Sequence, residues 1–516
     1  QSTADGFRHL PLHLLRTLLE GDCRPVLLHS ARQEPAGKTR SYLYAHPLKE
    51  LSAAQPADCP ALLNELDRAQ TEGLFAAGWL TWEFGHAILP ETGPPAAWPE
   101  GDLAWFGLYR ERLVFDHESG TFLDPFPSWA REAVSACNLN TTMTGPDGYG
   151  MRPCRPLITP AKYRDAVDAI REGIVEGHYY QVNQTFRCEL ALDSDMTGLY
   201  AHCSGRQPVP HAAWIDNGRT RILSFSPELF FRTAAKRITV RPMKGTAPRG
   251  DTPEADASAA RTLAACSKNR AENAMIVDLL RNDLGRIARP GSVSVPRLFS
   301  VETHPTLHQM TSTVTALLRD DVSPGAIMRA LFPCGSVAGA PKIRAMREIA
   351  RLETTARGVY CGAIGHIAAD GDACFSVAIR TLVMQSPHAA AGSQATAAGG
   401  LSAPLAVQPG SAGPPAVPRT DQPEAMNTSM RPIPPRAKPA PVTARFGIGS
   451  GIVNDSQPES EYDECLLKAD FFCRPDPALR PGLIETMRAD RAGIPGLAIT
   501  TATAPLPLLE FHLDRL

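Results

Sequence analysis

No stretch of the chain approaches the roughly 18 consecutive apolar residues of a membrane-spanning helix, so a membrane protein of the helical kind is not expected. Nor is there a field of one charge. The 52 Lys and Arg stand against 54 Asp and Glu, a net charge of −2, which offers nucleic acid no basic face and leaves no acidic tail. The start, QSTADGFRHL, has neither an initiator Met nor the basic-then-apolar order of a secretion signal, and a trimmed cytoplasmic chain is expected. Twelve cysteines are scattered without a C-x-x-C pair or a Cys/His group at zinc spacing. Reduced, buried thiols are therefore expected rather than a disulfide framework. What remains is ordinary globular composition, 43% hydrophobic and 21% charged, in 516 residues. Length alone suggests about three domains.

Residues 1–150 mix short strand-like runs (PVLLHS, LFAAGWLTWEF, LAWFGLYRERLVF) with Pro- and Gly-rich connections. From Thr159 the texture changes: TPAKYRDAVDAIREGIVEG reads as a helix, with Thr159 as N-cap, Pro160 in the first turn and Gly177 at the end. Strand candidates QVNQTFRCELAL, HAAWID, RILSFS, LFFRT and RITVRPMKGT follow. SKNRAENAMIVDLLRNDLGRIA reads as a long helix whose Val277, Leu280, Leu284 and Ile287 face a core. Residues 386–444 are rich in Ala, Pro, Gly and Ser and cannot bury enough apolar surface to offset ordering, so a disordered insertion is expected there. Its flanks, FSVAIRTLVMQ and RFGIGSGIV, both read as strands, so the insertion is expected to leave one domain from within a hairpin.

Four constellations can carry chemistry. Ser456 and Glu459 fit a capping box, and on the helix that follows Glu461, Glu464 and Lys468 form one stripe. The stripe is either a solvated salt-bridge face or a carboxylate source for a hard cation. Glu272, in an apolar helical setting, supplies a further carboxylate, and Mg²⁺ is usually held by one or two carboxylates with waters and substrate oxygens. Gly447, Gly449 and Gly451 alternate in RFGIGSGIV, marking either a bulge or close backbone approach by a ligand carboxylate. FPCGSVAGAPKIRAMREIA, which contains Ser336, has a Gly/Ser turn opening a basic helix but not the order of a P-loop. In SFSPELFFR, Glu228 follows a proline between apolar strands, as a surface turn or as a desolvated general acid.

SPELFFR, PMKGTAPRG, ENAMIVDLLRNDLGR, FPCGSVAGAPKIRAMREI, YCGAIGHI, VAIRTL and GIGSGIVNDSQPESEYDECLLKA stand in collinear order. Together they resemble the chorismate-utilising enzymes, in the branch of aminodeoxychorismate synthase component I. The likeness is dense over about residues 155–385 and 445–471 and loose before that. It implies an α+β fold of stacked antiparallel sheets flanked by helices. It also implies an N-terminal component I-like region over 1–150 and a catalytic domain over 155–471, interrupted by 386–444.

The resemblance assigns roles residue by residue. Glu272 and Glu464, assisted by Glu461, match the carboxylates that hold Mg²⁺ against the ring carboxylate of chorismate. Gly449, Ser450, Gly451 and Lys468 match the groups around that carboxylate, and Arg380 and Tyr360 those around the enolpyruvyl carboxylate. Ser336 belongs to the substrate-binding turn, Glu228 matches the general acid, and His308 matches an active-site histidine. Gln181 stands where water-adding relatives carry a basic lysine, which argues against water as nucleophile. Lys244 stands where anthranilate and isochorismate makers carry alanine, and implies a covalent route. In that route neutral Lys244 attacks C2, the C4 hydroxyl leaves with a proton from Glu228, and ammonia then attacks C4 and expels the lysine.

Two departures stand out: Asn269, where relatives often carry an acid, and Cys334, in place of a loop glycine that it is expected to crowd. The resemblance implies a separate glutamine amidotransferase as ammonia source. Anthranilate synthase component I, or a non-catalytic scaffold that binds chorismate or activates a glutaminase, are the alternatives. LLHS at 27–30 resembles a strand lining a tryptophan pocket in relatives. Residues 482–516 resemble the start of an aminodeoxychorismate lyase-like domain, without its Schiff-base lysine region.

Overall fold

The structure, a computed structural model, describes residues 7–12, 18, 23–33, 39–136, 154–192, 195–304, 307–386 and 442–473. The lyase-like segment at 482–516 and nearly all of the 386–444 stretch lie outside the described residues, though Val442 to Ala444 already belong to a strand.

Two antiparallel sheets carry the molecule. One has Gln181–Leu192 near its edge, paired along its whole length with Val442–Ile452. It continues through Thr381–Gln385, Thr220–Ser226 and His211–Asp216 to Val26–His29, Arg40–Tyr44, Leu113–Asp116 and Thr121–Leu123. The other runs from Met243–Pro248 through Leu307–Leu317, Arg237–Val240, Leu229–Ala234, Ala373–Val377 and Ala363–Ile367 to Phe75–Leu80, Ala104–Tyr109 and Lys49–Ala53. Strands from before residue 150 therefore extend both sheets, and the sequence boundary near 150 is not a boundary of the fold. Thr381–Gln385 and Val442–Ile452 pair antiparallel at Val383 and Arg445, so the two flanks of the long insertion do meet as neighbouring strands.

An aromatic core including Tyr44, Trp79, Trp105, Tyr109, Ile215 and Ile222 is buried with strands of both sheets around it. The helices lie where the patterning put them. Thr159 Oγ1 accepts from the Lys162 amide to cap Pro160–Val175, whose Tyr163, Val167 and Ile170 are buried one or two turns apart. Val277, Leu280 and Leu284 of Ser267–Gly285 are likewise buried. The eleven described cysteines are all free thiols.

One polar cluster inside this packing joins several segments. The Arg357 guanidinium, 2% exposed, pairs with Glu353 at 2.7 and 2.8 Å. It also donates to Val337 O at 2.9 Å and Asn183 O at 2.6 Å, and its Cζ lies 4.2 Å from the centre of the Trp82 ring. Glu353 in turn accepts from the Thr185 amide, and Glu83 from the amides of Arg357 and Gly358. Burial works against charge on Arg357, and Glu353 more than offsets it. Removing one partner of such a pair strands the other in a dry interior, at a cost of about 3–5 kcal/mol. Arg357→Met is therefore expected to lower stability by about 3 kcal/mol or more in denaturant unfolding. A loss below about 1 kcal/mol would show the cluster to be solvated.

Candidate active site

The strand Met243–Pro248 slips out of regular register with Leu307–Leu317 between Met243 and Thr246, and Lys244 sits at the slip. Gly245 follows at φ +78°, and a Cβ there would lie 2.8 Å from Asn269 Cγ, so glycine lets the turn lie flat against the helix Ser267–Gly285. Gln309 closes the turn from the next strand. Its Nε2 donates to Gly245 O at 2.7 Å, and its Oε1 accepts from Thr246 Oγ1 at 3.1 Å. So held, Lys244 is half-buried and its Nζ points at Ser336 O, 3.4 Å away. A Cβ on Gly451 would meet Gln181 Nε2 at 2.1 Å and Lys244 Nζ at 3.2 Å, which places the amine, the amide and the glycine strand at one point. Both polar atoms of the buried Gln181 amide, and Glu228 Oε1, have no hydrogen-bond partner.

Charge converges on the same point. Burial pulls the Lys244 amine below the ordinary lysine value, against the opposing pull of Glu272 and Glu228. Burial pushes the Glu228 carboxyl up to about 7, against Ser336 and Lys244. Glu272 is raised by burial, with Glu461 and Glu464 adding to the rise and Lys244 opposing it. Burial would raise Glu464 too, but Lys468, 2.7 Å away, outweighs it and holds the carboxyl below its usual range. The same Lys468 donates to Gly449 O at 2.9 Å. The structure thus gathers Glu228, Lys244, Gln181, Ser336, Gly449, Gly451, Glu272, Glu464 and Lys468.

The remaining expected residues stand differently. His308 is spent on structure: Nε2 pairs with Asp256 at 2.8 Å and Nδ1 lies 3.1 Å from Thr303 Oγ1, so neither ring nitrogen is free for a substrate. The Ser450 hydroxyl is 3.0 Å from Tyr163 OH and turned into the core, leaving its backbone as the part that can meet a ligand. Glu461 accepts from Ser456 Oγ at 2.7 Å. Ser456 Oγ also accepts from the Val453 amide, the helix starts at Pro458, and Glu459 pairs with Arg164. The Tyr360 ring covers Gly447, where a Cβ would meet it at 2.0 Å. Arg380, at φ +51°, lines a cleft with Pro227, Met243, His304 and Gln309, the first two being neighbours of Glu228 and Lys244. Burial alone lowers Arg380 to about 10.

The departures are accommodated. Asn269 packs beneath the Lys244 turn, and Cys334 adopts φ −61°, open to any residue, with its thiol 3.2 Å from Ser336 Oγ. Sequence reasoning missed Gln309 and Arg357. The signal for Gln309 was its place beside His308, since successive residues of a strand face opposite ways.

Among the described residues no group of three or more His, Cys, Asp or Glu side chains is close enough to hold a metal by itself. Glu272, with Glu461 and Glu464 near enough to raise its proton affinity, offers only oxygen donors, which suits a hard divalent cation completed by water and substrate oxygens.

Residues 25–400 match the profile of the chorismate binding enzymes. The chain is 41% identical over 359 residues to the aminodeoxychorismate synthase of Streptomyces griseus, covering 64% of this chain and 49% of that protein. It is 40% identical over 283 residues to aminodeoxychorismate synthase component 1 of Escherichia coli (strain K12), covering 54% and 61%. To anthranilate synthase component 1 of Methanothermobacter marburgensis it is 31% identical over 374 residues, covering 72% and 68%. The chain thus spans about half the length of the Streptomyces griseus relative. In fold it is similar to the crystal structure of anthranilate synthase component I from Streptococcus pneumoniae TIGR4. That TM-score is 0.63 at 24% identity, over 86% of this chain and 93% of the other.

Glu228 supplies a check on the electrostatics. With its folded value raised from about 4.5 to about 7, the stability its protonated form confers is complete below about 4.5 and lost as pH rises through 7. Glu228→Gln, which keeps the neutral shape, is expected to unfold like the parent at pH 4.5. At pH 8.5 it should be more stable by on the order of 1–3 kcal/mol. Equal stabilities at both pH values would place Glu228 in water.

Proposed function

The chain belongs to the chorismate binding enzymes, and on that premise we propose that it is component I of an aminodeoxychorismate synthase. It would convert chorismate and ammonia to 4-amino-4-deoxychorismate for 4-aminobenzoate and folate synthesis. The observation that carries the proposal is the pairing of a depressed amine, Lys244, with a raised carboxyl, Glu228, on the two sides of Ser336. A lysine must be neutral to attack carbon, and an acid must keep its proton until the leaving group needs it. Burial moves both groups the required way.

In the proposed sequence the Lys244 amine attacks C2, the ring double bond shifts, and the C4 hydroxyl departs with the Glu228 proton. Ammonia then adds at C4 and the lysine leaves C2. Two allylic substitutions retain the facial sense that one displacement would invert. The Gln181 amide, with both polar atoms unpartnered, would orient the ring or the incoming ammonia. Arg380 and Tyr360 would hold the enolpyruvyl carboxylate, and Lys468 with the Gly449–Gly451 backbone the ring carboxylate. Glu272 and Glu464 would hold Mg²⁺, assisted by Glu461; the ion, when bound, neutralises and orients that carboxylate. Ammonia would come from a separate glutamine amidotransferase, a reading supported by relatives named as a component 1.

The deciding assay is incubation with chorismate, Mg²⁺ and ammonium, with the product identified by mass and by conversion with an added lyase. The expected product is 4-amino-4-deoxychorismate. Lys244→Ala is expected to abolish amination at C4, and Glu228→Gln to slow it by about 10²–10⁴-fold. Anthranilate as the product, or full activity in Lys244→Ala, would overturn the proposal.

A further inference from the structure

Three thiols meet away from the Lys244 site, and no step of the chemistry above uses them. Cys188 lies in the strand Gln181–Leu192, Cys473 closes the helix Pro458–Cys473, and Cys154 precedes the short strand Arg155–Pro156. Strand register brings the three segments together. Pro156 pairs with Cys188 on one side, and Phe446 pairs with Cys188 on the other. The Phe446 ring meets Phe472 edge to face at 5.2 Å, which sets the last turn of the helix over the same strands. The Cys154 thiol interacts directly with the thiols of both Cys188 and Cys473. All three are free; Cys188 is fully buried, while Cys154 and Cys473 are half-buried and reachable by a small oxidant.

A single core cysteine is only a small hydrophobe. Here three are in contact, two of them half-buried and on segments about 320 residues apart in sequence, an arrangement in which thiol–disulfide exchange can link distant parts of the chain. We propose that Cys154 and Cys473 form a reversible disulfide that staples the end of the helix Pro458–Cys473 to the sheet. Glutathione disulfide, or another small disulfide, is the oxidant. The Cys154 thiolate attacks it and releases one glutathione thiolate. The Cys473 thiolate then attacks the Cys154 sulfur of the mixed disulfide and displaces the second. The protein gives up two protons and two electrons, and two glutathione thiols are formed. Hydrogen bonds from Cys188 and Cys473 favour the attacking thiolate on Cys154. The stapled helix carries Glu461, Glu464 and Lys468, so the bond fixes from its far end the platform on which these groups stand.

The test uses the whole native chain and no turnover, so it stands or falls apart from the assigned reaction. Exposure to glutathione disulfide, alkylation and proteolysis are expected to yield a cross-linked peptide pair holding Cys154 and Cys473, reversed by dithiothreitol and absent in Cys473→Ser. Cys23→Ser is expected to retain it. Amide hydrogen exchange over the last turn of the helix should slow at least about tenfold on oxidation. Full alkylation of Cys154 and Cys473 after oxidant, a cross-link confined to Cys154 and Cys188, or unchanged exchange would each overturn the proposal.

Discussion

A guanidinium that cannot be left unsatisfied organises this molecule. Arg357 is almost fully buried, and its donors are taken by Glu353, Val337 O and Asn183 O. An uncompensated ion in such a place costs several kcal/mol, far more than a shift of backbone can return. The segments it joins therefore cannot move separately. Asn183 lies two residues from Gln181, Val337 follows Ser336, and Gly358, held by Glu83, lies two residues before Tyr360. Three walls of the candidate site thus hang from one buried charge.

Within those walls, burial acts on groups of opposite sign to the same end. Desolvation penalises whichever form is charged, so it lifts Glu228 toward neutrality and lowers Lys244 toward the free amine. Direct pairing of the two would undo both shifts. Ser336 stands between them: its carbonyl oxygen takes the amine, and its side chain supports the carboxyl. Farther out the pattern reverses, and Glu464 with Lys468 form a partly exposed pair that keeps each ionised. The inner pair is suited to proton and carbon chemistry, the outer pair to holding a charged ligand.

Much of this was legible in the residues. The glycine after Lys244 and the alternate glycines at 447–451 each report a backbone constraint, and the structure brings the two stretches together where Gly451 faces Lys244 Nζ. The α+β fold and the strands flanking the insertion were legible too. The partners of His308 were not legible: it pairs with Asp256, and since one step along a strand exchanges the faces, it is Gln309 that reaches the Lys244 turn. Ser456 also donates to the buried Glu461, five residues on, a partner chosen by packing that spacing does not announce. Strands on the two sides of residue 150 share both sheets, which a local reading does not reveal, because neighbours such as Phe75–Leu80 and Ala363–Ile367 are almost 300 residues apart in sequence.

The slip in register at Lys244 deserves a physical reason, since a regular strand would cost less. A lysine in an unbroken strand would alternate cleanly to one face of the sheet and lie against its neighbours. Here the ladder breaks between Met243 and Thr246, Gly245 takes a positive φ, and the chain drops onto Asn269. The lost ladder bonds are replaced by the two bonds of Gln309, whose amide supplies both a donor and an acceptor. A histidine, with one donor and one acceptor on a rigid ring, could not make both at these distances without moving the strand. The amide at 309 and the glycine at 245 are thus joint conditions for aiming an amine out of the sheet, at Ser336 and the glycine strand. The amine proposed to direct amination to C4 rests on that one irregular turn.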